Sequence, residues 1–270
     1  MEWKMSKNQT YRSFIRYRKN TFDMTYILGA SCIDGVVLVS DQKFLRGSTP
    51  SYHEKLVEVF PSVIMGGAGT RGIIDRFYDE IKLKIENEDI TNIEELINYS
   101  EDRTLDIHRR YYGRADGMEL LIGLRGTGGK SKLFNIVTSG GVAEPIKEYI
   151  AIGSGVPYGS FLLKELWNKK MTMMEFAKVG YFLVDYITKF KLEDSVGGNP
   201  KVWFIPEIIE EEGKDVNDLI QQYPARTANK SELETMKNYS DIQINKINQA
   251  LENLKTLPKI ISSSQQDDPS

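Results

Sequence analysis

Residues 25–41 read Thr25-Tyr26-Ile27-Leu28-Gly29-Ala30-Ser31-Cys32-Ile33-Asp34-Gly35-Val36-Val37-Leu38-Val39-Ser40-Asp41. Two β-rich segments, Met24–Cys32 and Gly35–Asp41, flank the turn Ile33-Asp34-Gly35. Asp-Gly between apolar runs is a strong hairpin signal. The second segment carries Val36-Val37-Leu38-Val39 with no polar interruption. A strand with one face against another sheet and the other under helices needs apolar residues on both sides.

Further along, Lys55–Phe60 and Ser62–Gly67 read as a second hairpin that turns at Pro61. The period then becomes helical: Ile73, Phe77, Ile81 and Ile85 form one apolar stripe at four-residue spacing. Thr91-Asn92-Ile93-Glu94 reads as a capping box that opens a helix to about Arg110. Strand patterns return at Glu119–Leu124 and Leu133–Thr138, split by Gly126-Thr127-Gly128-Gly129. A short apolar piece, Tyr149–Ile152, leads through Gly153-Ser154-Gly155 into a helix over about Pro157–Trp167. A second capping box, Thr172-Met173-Met174-Glu175, opens a helix to about Phe190, and Lys201–Ile205 is a last strand. Ile244, Ile247, Leu251 and Leu254 give Asp241–Leu254 a helical spacing. Strands grouped apart from helices argue α+β rather than alternating βαβ, with two sheets face to face and helix pairs outside.

The chain has 270 residues, long for one domain and short for two. Lys and Arg number 35 against 38 Asp and Glu, a net −3, which gives no electrostatic reason to expect nucleic acid or an anionic membrane as partner of the whole chain. No apolar run approaches the roughly 20 residues of a membrane span. One cysteine, Cys32, excludes an intrachain disulfide, and with only His53 and His108 beside it no metal or cofactor is expected. This composition fits a cytoplasmic setting. Residues 1–23 interleave Lys4, Lys7, Arg12, Arg16, Arg18 and Lys19 with Trp3, Tyr11, Phe14, Tyr17 and Phe22. They lack the apolar stretch of a secretory signal and read as a loose N-terminal extension. The last residues, Ser262 to Ser270, have nothing to bury and read as disordered.

Familiar catalytic clusters are missing: there is no G-x-S-x-G, P-loop or H-E-x-x-H. Gly123-Leu124-Arg125-Gly126-Thr127-Gly128 is a hairpin turn rather than a dinucleotide loop, since no helix follows it. Cys32, in mid-strand with no base nearby in sequence, reads as a small buried apolar residue.

The run from Thr25 to Asp41 does, however, resemble the start of a mature proteasome β-subunit. That family begins with a nucleophilic threonine, has a glycine four residues later, then an Asp-Gly turn and a strand ending in aspartate. Lys55 lies where the family keeps a catalytic lysine, and Ala68-Gly69 where it keeps an oxyanion glycine. Gly153-Ser154-Gly155-Val156-Pro157 resembles its Gly-Ser-Gly-x-Pro element, and Asp194-Ser195-Val196-Gly197-Gly198 its Asp…Ser-Gly-Gly loop. The resemblance covers roughly residues 24–206 and implies the four-layer αββα sandwich of N-terminal nucleophile hydrolases.

It also implies a chemistry. Thr25 would attack a peptide carbonyl, with its own α-amine as the base. Lys55, held by Asp41, would assist the proton transfer. The Gly69 N–H would meet the oxyanion, while Ser154, Asp194 and Ser195 would orient the amine and the water. Glu193 competes with Asp194 by one position, because Val196 stands where the family usually has serine. Arg71 and Gly67 would border the substrate, and Arg71 would favour acidic residues before the cut. The substrate would be a peptide or unfolded protein, and the partners other copies or related ring subunits. The same resemblance accommodates a catalytically silent structural subunit, or an amidase of this fold acting on a small molecule. Nothing in residues 1–24 matches the α-subunit signature of that family. Asp23-Met24, not glycine, precedes Thr25. Translation starting at Met24, followed by methionine removal, would expose the threonine directly. The expected organisation is an extension or start-site artefact over 1–24, the αββα domain over 25–206, a C-terminal extension with a helix over 207–260, and a disordered tail over 261–270.

Overall fold

A computed structural model describes residues 25–46, 49–111, 118–126, 128–137, 140–208 and 223–263. The expected extension over 1–24 and the tail from residue 264 onward lie outside the described residues. β1 (Ile27–Cys32) and β2 (Gly35–Ser40) form the hairpin expected at Asp34-Gly35. They lie in a five-stranded antiparallel sheet with β10 (Tyr149–Ile152), β11 (Lys201–Pro206) and β12 (Arg226–Thr227), in the order β10-β1-β2-β11-β12. The second sheet runs β5-β6-β7-β8-β9, from β5 (Leu56–Phe60), β6 (Val63–Ala68), β7 (Glu119–Arg125), β8 (Ser131–Val137) and β9 (Ala143–Ile146). A separate two-stranded ribbon, β3 (Lys43–Arg46) with β4 (Thr49–Tyr52), follows β2 in sequence and precedes β5. Ribbon, β9 and β12 were not expected. Each is short, and Pro50 and Pro145 interrupt the apolar alternation that signals a strand.

The alternation along each strand builds the layers. Ile27, Val36, Leu38, Leu56, Ile64, Leu121, Leu133 and Ile205 meet between the sheets. Their alternating neighbours, Leu28, Val37 and Val39, face α3 (Val156–Leu166) and α4 (Met173–Lys189) together with Phe176, Phe182 and Val184. Val63, Met65, Leu120 and Ile122 face α1 (Arg71–Glu86) and α2 (Ile93–Tyr111) with Phe77 and Ile81. This is the αββα sandwich, and all six residues of β2 are buried as its two-sided packing requires.

Local signals held with small shifts. Thr172 and Glu175 make the reciprocal capping box that opens α4. At α2 the box moves by one residue. Asn92 Oδ1 accepts the Glu95 N–H at 3.0 Å, and the Glu95 carboxylate accepts from Thr91, because the helix starts at Ile93. On α1 the buried stripe is Ile74, Phe77, Tyr78 and Ile81, with Ile73 and Ile85 at its margin. Cys32 is half-buried at the end of β1 rather than enclosed.

The largest departure is α5 (Lys230–Ser263), a 34-residue helix where the spacing suggested only 241–254. It crosses α4, burying Met236, Ser240 and Ile244, and thus adds a fifth layer on that side. Its reach to Ser263 also overruns the expected start of the disordered tail at 261. Arg125, buried at the end of β7, donates to the carbonyls of Pro206 and Tyr223 and to Ser62 Oγ, tying down both flanks of the segment between β11 and β12.

Candidate active site

Thr25 lies just before β1 and is 1% exposed. Its carbonyl oxygen accepts the Gly155 N–H at 3.2 Å. Gly153, at φ +94°, passes so close that a Cβ there would fall 2.2 Å from that same oxygen. Only glycine permits this approach, so the Gly-Ser-Gly element between β10 and α3 is what holds the Thr25 backbone in place. Ser154 Oγ is buried beside it with no hydrogen-bond partner among the described residues.

Asp41 follows β2 directly and is fully buried. It accepts four hydrogen bonds: Lys55 Nζ at 2.7 Å and Tyr26 N–H at 2.9 Å on Oδ1, and the Lys43 and Gly197 N–H groups, each at 3.1 Å, on Oδ2. Four donors converging on one carboxyl suit the ionised form, which alone accepts at every lone pair. Burial raises the Asp41 carboxyl above its ordinary value, and the Lys55 ammonium with the Tyr26 and Gly197 N–H groups works against that rise. Both side chains of the Lys55–Asp41 pair are 0% exposed. One carboxylate thereby joins the backbone next to Thr25, the lysine just before β5, and the loop after α4.

That loop, residues 193–198, is pinned by the Gly197 carbonyl, which accepts from the Gln42 and Lys43 N–H groups at 2.9 Å each. Of the two competing acids, Glu193 is half-buried and accepts from the fully buried Ser195 Oγ at 2.8 Å. Asp194 is exposed and offers its backbone carbonyl to Lys43 Nζ.

The β5–β6 register pairs Leu56 with Gly66, so Gly67 is the β6 residue next in line with Lys55. A Cβ on Gly67 would meet Ile74 at 2.8 Å and the Tyr78 hydroxyl at 3.2 Å, which puts this glycine under α1. Gly69 lies two residues past it, beyond the end of β6, at φ +130°. Arg71 opens α1, and its guanidinium stacks on Phe44, whose ring also carries Lys55 Nζ; each cation is 4.6 Å from the ring centre. Sequence reasoning missed Phe44 and Lys43, and named Gly197 only within the loop without giving it a contact. Phe44 and Lys43 belong to the unforeseen ribbon, and Gly197 acts through its backbone, which no residue type advertises. Among the described residues no group of three or more His, Cys, Asp or Glu could hold a metal, and His53 and His108 lie apart on β4's exit and on α2.

The sequence profile of the proteasome subunit family matches residues 24–196. The chain belongs to the proteasome subunit family. The match begins one residue before Thr25 and spans every element from β1 to the loop after α4. Many solved chains share this proteasome-family fold. One is the Anbu (Gly-1) mutant from Hyphomicrobium sp. strain MC1, with a TM-score of 0.64 at 16% identity over 84% of this chain and 96% of that one. At that identity the likeness speaks for the fold alone. No curated protein matches the chain. No helix among the described residues is long and apolar enough to cross a membrane.

Proposed function

We propose that the protein is a threonine-type peptidase in which Thr25, once it is the first residue, is the nucleophile. The observation that carries this reading is the buried Lys55–Asp41 pair bonded to the N–H of the residue after Thr25. A fully buried ion pair costs desolvation that a structural role seldom repays better than apolar residues would, and perturbed buried charges concentrate at reactive sites.

The chemistry follows from what a hydroxyl lacks. A free α-amine titrates near 8 and can take the hydroxyl proton. The Lys55 ammonium, fixed by Asp41, stabilises negative charge developing on Oγ1. The tetrahedral oxyanion is met by a main-chain N–H on β6 or just past it. Gly69 was the expected donor, and the register favours adding Gly67. One such donor is worth on the order of 3 kcal/mol in hydrolases. The unpartnered Ser154 Oγ supplies a hydrogen bond to the free amine, and Ser195 with Glu193, in place of Asp194, steadies the loop behind it. The acyl ester on Thr25 is then released by water. The substrates are peptides or unfolded protein, and the assembly is an oligomer of copies or related subunits, as family membership supports.

A second reading, a silent structural subunit, is favoured by one fact. In the chain as written the Thr25 nitrogen is an amide bonded to Met24, and an amide is no base. Intact mass of the protein from its own cells separates the two. A chain beginning at Thr25 that gains one adduct from an electrophilic peptide trap, lost in Thr25→Ala, supports the peptidase. A mass that retains Met24 discards it. Size-exclusion mass of the same sample reports the assembly.

A further inference from the structure

We propose that Tyr26 is a positioning residue for Thr25: a slot under α3 holds its ring and thereby aims the nucleophile at Lys55. This rests on the peptidase reading above. Tyr26 is 0% exposed and falls in the helix-side core with Leu28, whereas Ile27 between them falls in the core between the sheets. Side chains alternate along an extended chain, so Thr25 is turned the way of Ile27, toward the second sheet. Lys55 stands there, immediately before β5. The peptide that joins Thr25 to Tyr26 is gripped at both ends. Its carbonyl accepts the Gly155 N–H at 3.2 Å, and its N–H donates to Asp41 Oδ1 at 2.9 Å. The Tyr26 carbonyl accepts in turn from the Asp41 N–H at 3.1 Å. The residue after the nucleophile is thus tied to Asp41 by its backbone and to α3 by its side chain.

Two glycines make the slot. A Cβ on Gly155 would fall 2.7 Å from both Cβ and Cγ of Tyr26, and one on Gly159 would fall 2.1 Å from its hydroxyl oxygen. The three atoms nearest to either missing Cβ all belong to Tyr26. Together the glycines follow the ring from root to tip. Neither has a positive φ, so backbone freedom does not account for them. Gly159 lies inside α3, where alanine would favour the helix more. Its missing side chain is accounted for by the ring. The Tyr26 hydroxyl has no hydrogen-bond partner among the described residues, so what it contributes is bulk, in the place of a side chain at 159. Hydrogen bonds yield to small displacements, but a close-packed ring does not. The ring is therefore what keeps the Thr25 peptide from shifting as the hydroxyl attacks.

The test uses the enzyme purified from its own cells, with intact mass checking that each variant begins at Thr25. The rate of the Thr25 adduct with one electrophilic peptide trap is followed against trap concentration, which gives a saturating rate and a half-saturating concentration. Gly159→Ala puts a Cβ 2.1 Å from an oxygen whose ordinary contact begins at 3.4 Å. Its saturating rate is expected to fall about a hundredfold, with half-saturation within about threefold of the parent. Tyr26→Phe is expected to stay within about threefold, and Tyr26→Phe with Gly159→Ala to regain most of the loss, because the new methyl takes the place of the hydroxyl. Tyr26→Ala empties the slot without a collision and decides the matter if Gly159→Ala does not fold. It is expected to lose about tenfold in saturating rate, with half-saturation again unchanged. Saturating rates within about threefold of the parent in both Gly159→Ala and Tyr26→Ala would overturn the proposal. So would losses carried by the half-saturating concentration, or a double variant no faster than Gly159→Ala. A parent enzyme that begins at Thr25 and takes no adduct ends the peptidase reading itself, and this one with it.

Discussion

A single buried carboxylate, Asp41, ties together the segments around Thr25. Four donors, from Tyr26, Lys43, Lys55 and Gly197, end on it. Removing its one charged partner leaves a buried charge uncompensated. Lys55→Met should therefore cost about 3–5 kcal/mol in denaturant unfolding, and Lys55→Met with Asp41→Asn much less, because no ion is then stranded. Gly153→Ala tests the other support of Thr25. Its Cβ collides with the Thr25 carbonyl at 2.2 Å in a left-handed backbone, so the variant should lose at least about 2 kcal/mol and lose trap labelling. Cys32 supplies a check by its inertness. Burial, then Asp34 and Glu175, push its thiol up to about 12. Native protein at neutral pH should alkylate on the order of a hundredfold slower than unfolded protein, since only the thiolate reacts. A native rate equal to the unfolded one would mean the site is open.

Among the elements, α1 and α2 are joined by charge as well as by apolar packing. Glu80 accepts from Arg76 on its own helix and from Arg103 across the gap on α2. Burial raises the Glu80 carboxyl, but the hydrogen bonds and charges of Arg103 and Arg76 outweigh it and hold the group below the usual carboxylate range. The sign follows by linkage. The contribution is fully present above the unfolded glutamate value near 4.3 and is lost as pH falls through the lower folded value. Solvent reaches this pair, so Glu80→Gln should cost about 1 kcal/mol or less at pH 7 and nothing near pH 2, as read from unfolding at both pH values. On the opposite face α5 depends on apolar contact. Met236→Ala, at a fully buried position against α4, should cost about 2–4 kcal/mol.

At the scale of the whole molecule, the inter-sheet core couples everything else. Ile27 and Leu38 from one sheet interleave there with Leu56, Ile64 and Leu121 from the other, so neither sheet keeps a complete core alone. Unfolding followed by tryptophan fluorescence and by far-ultraviolet dichroism should give coincident transitions, and two separated midpoints would show that the sheets part independently.

Most of the elements could be read from the chain because the signals that make them are local. The Asp34-Gly35 turn, the two-residue alternation from Val63 onward and the Thr172–Glu175 box each act within a few residues, where backbone geometry leaves few choices. The β3–β4 ribbon, β9 and the first turns of α5 escaped, since their residues carry weak patterns and are ordered by what they lie against. The proximity of Thr25, Asp41 and Lys55 was inferred only through resemblance. The fold itself decided which loop residue meets Asp41, which acid Ser195 chooses, and that Phe44 lies between Lys55 and Arg71. Those contacts join residues far apart in sequence, and their geometry exists only after both sheets and the helices over them have packed.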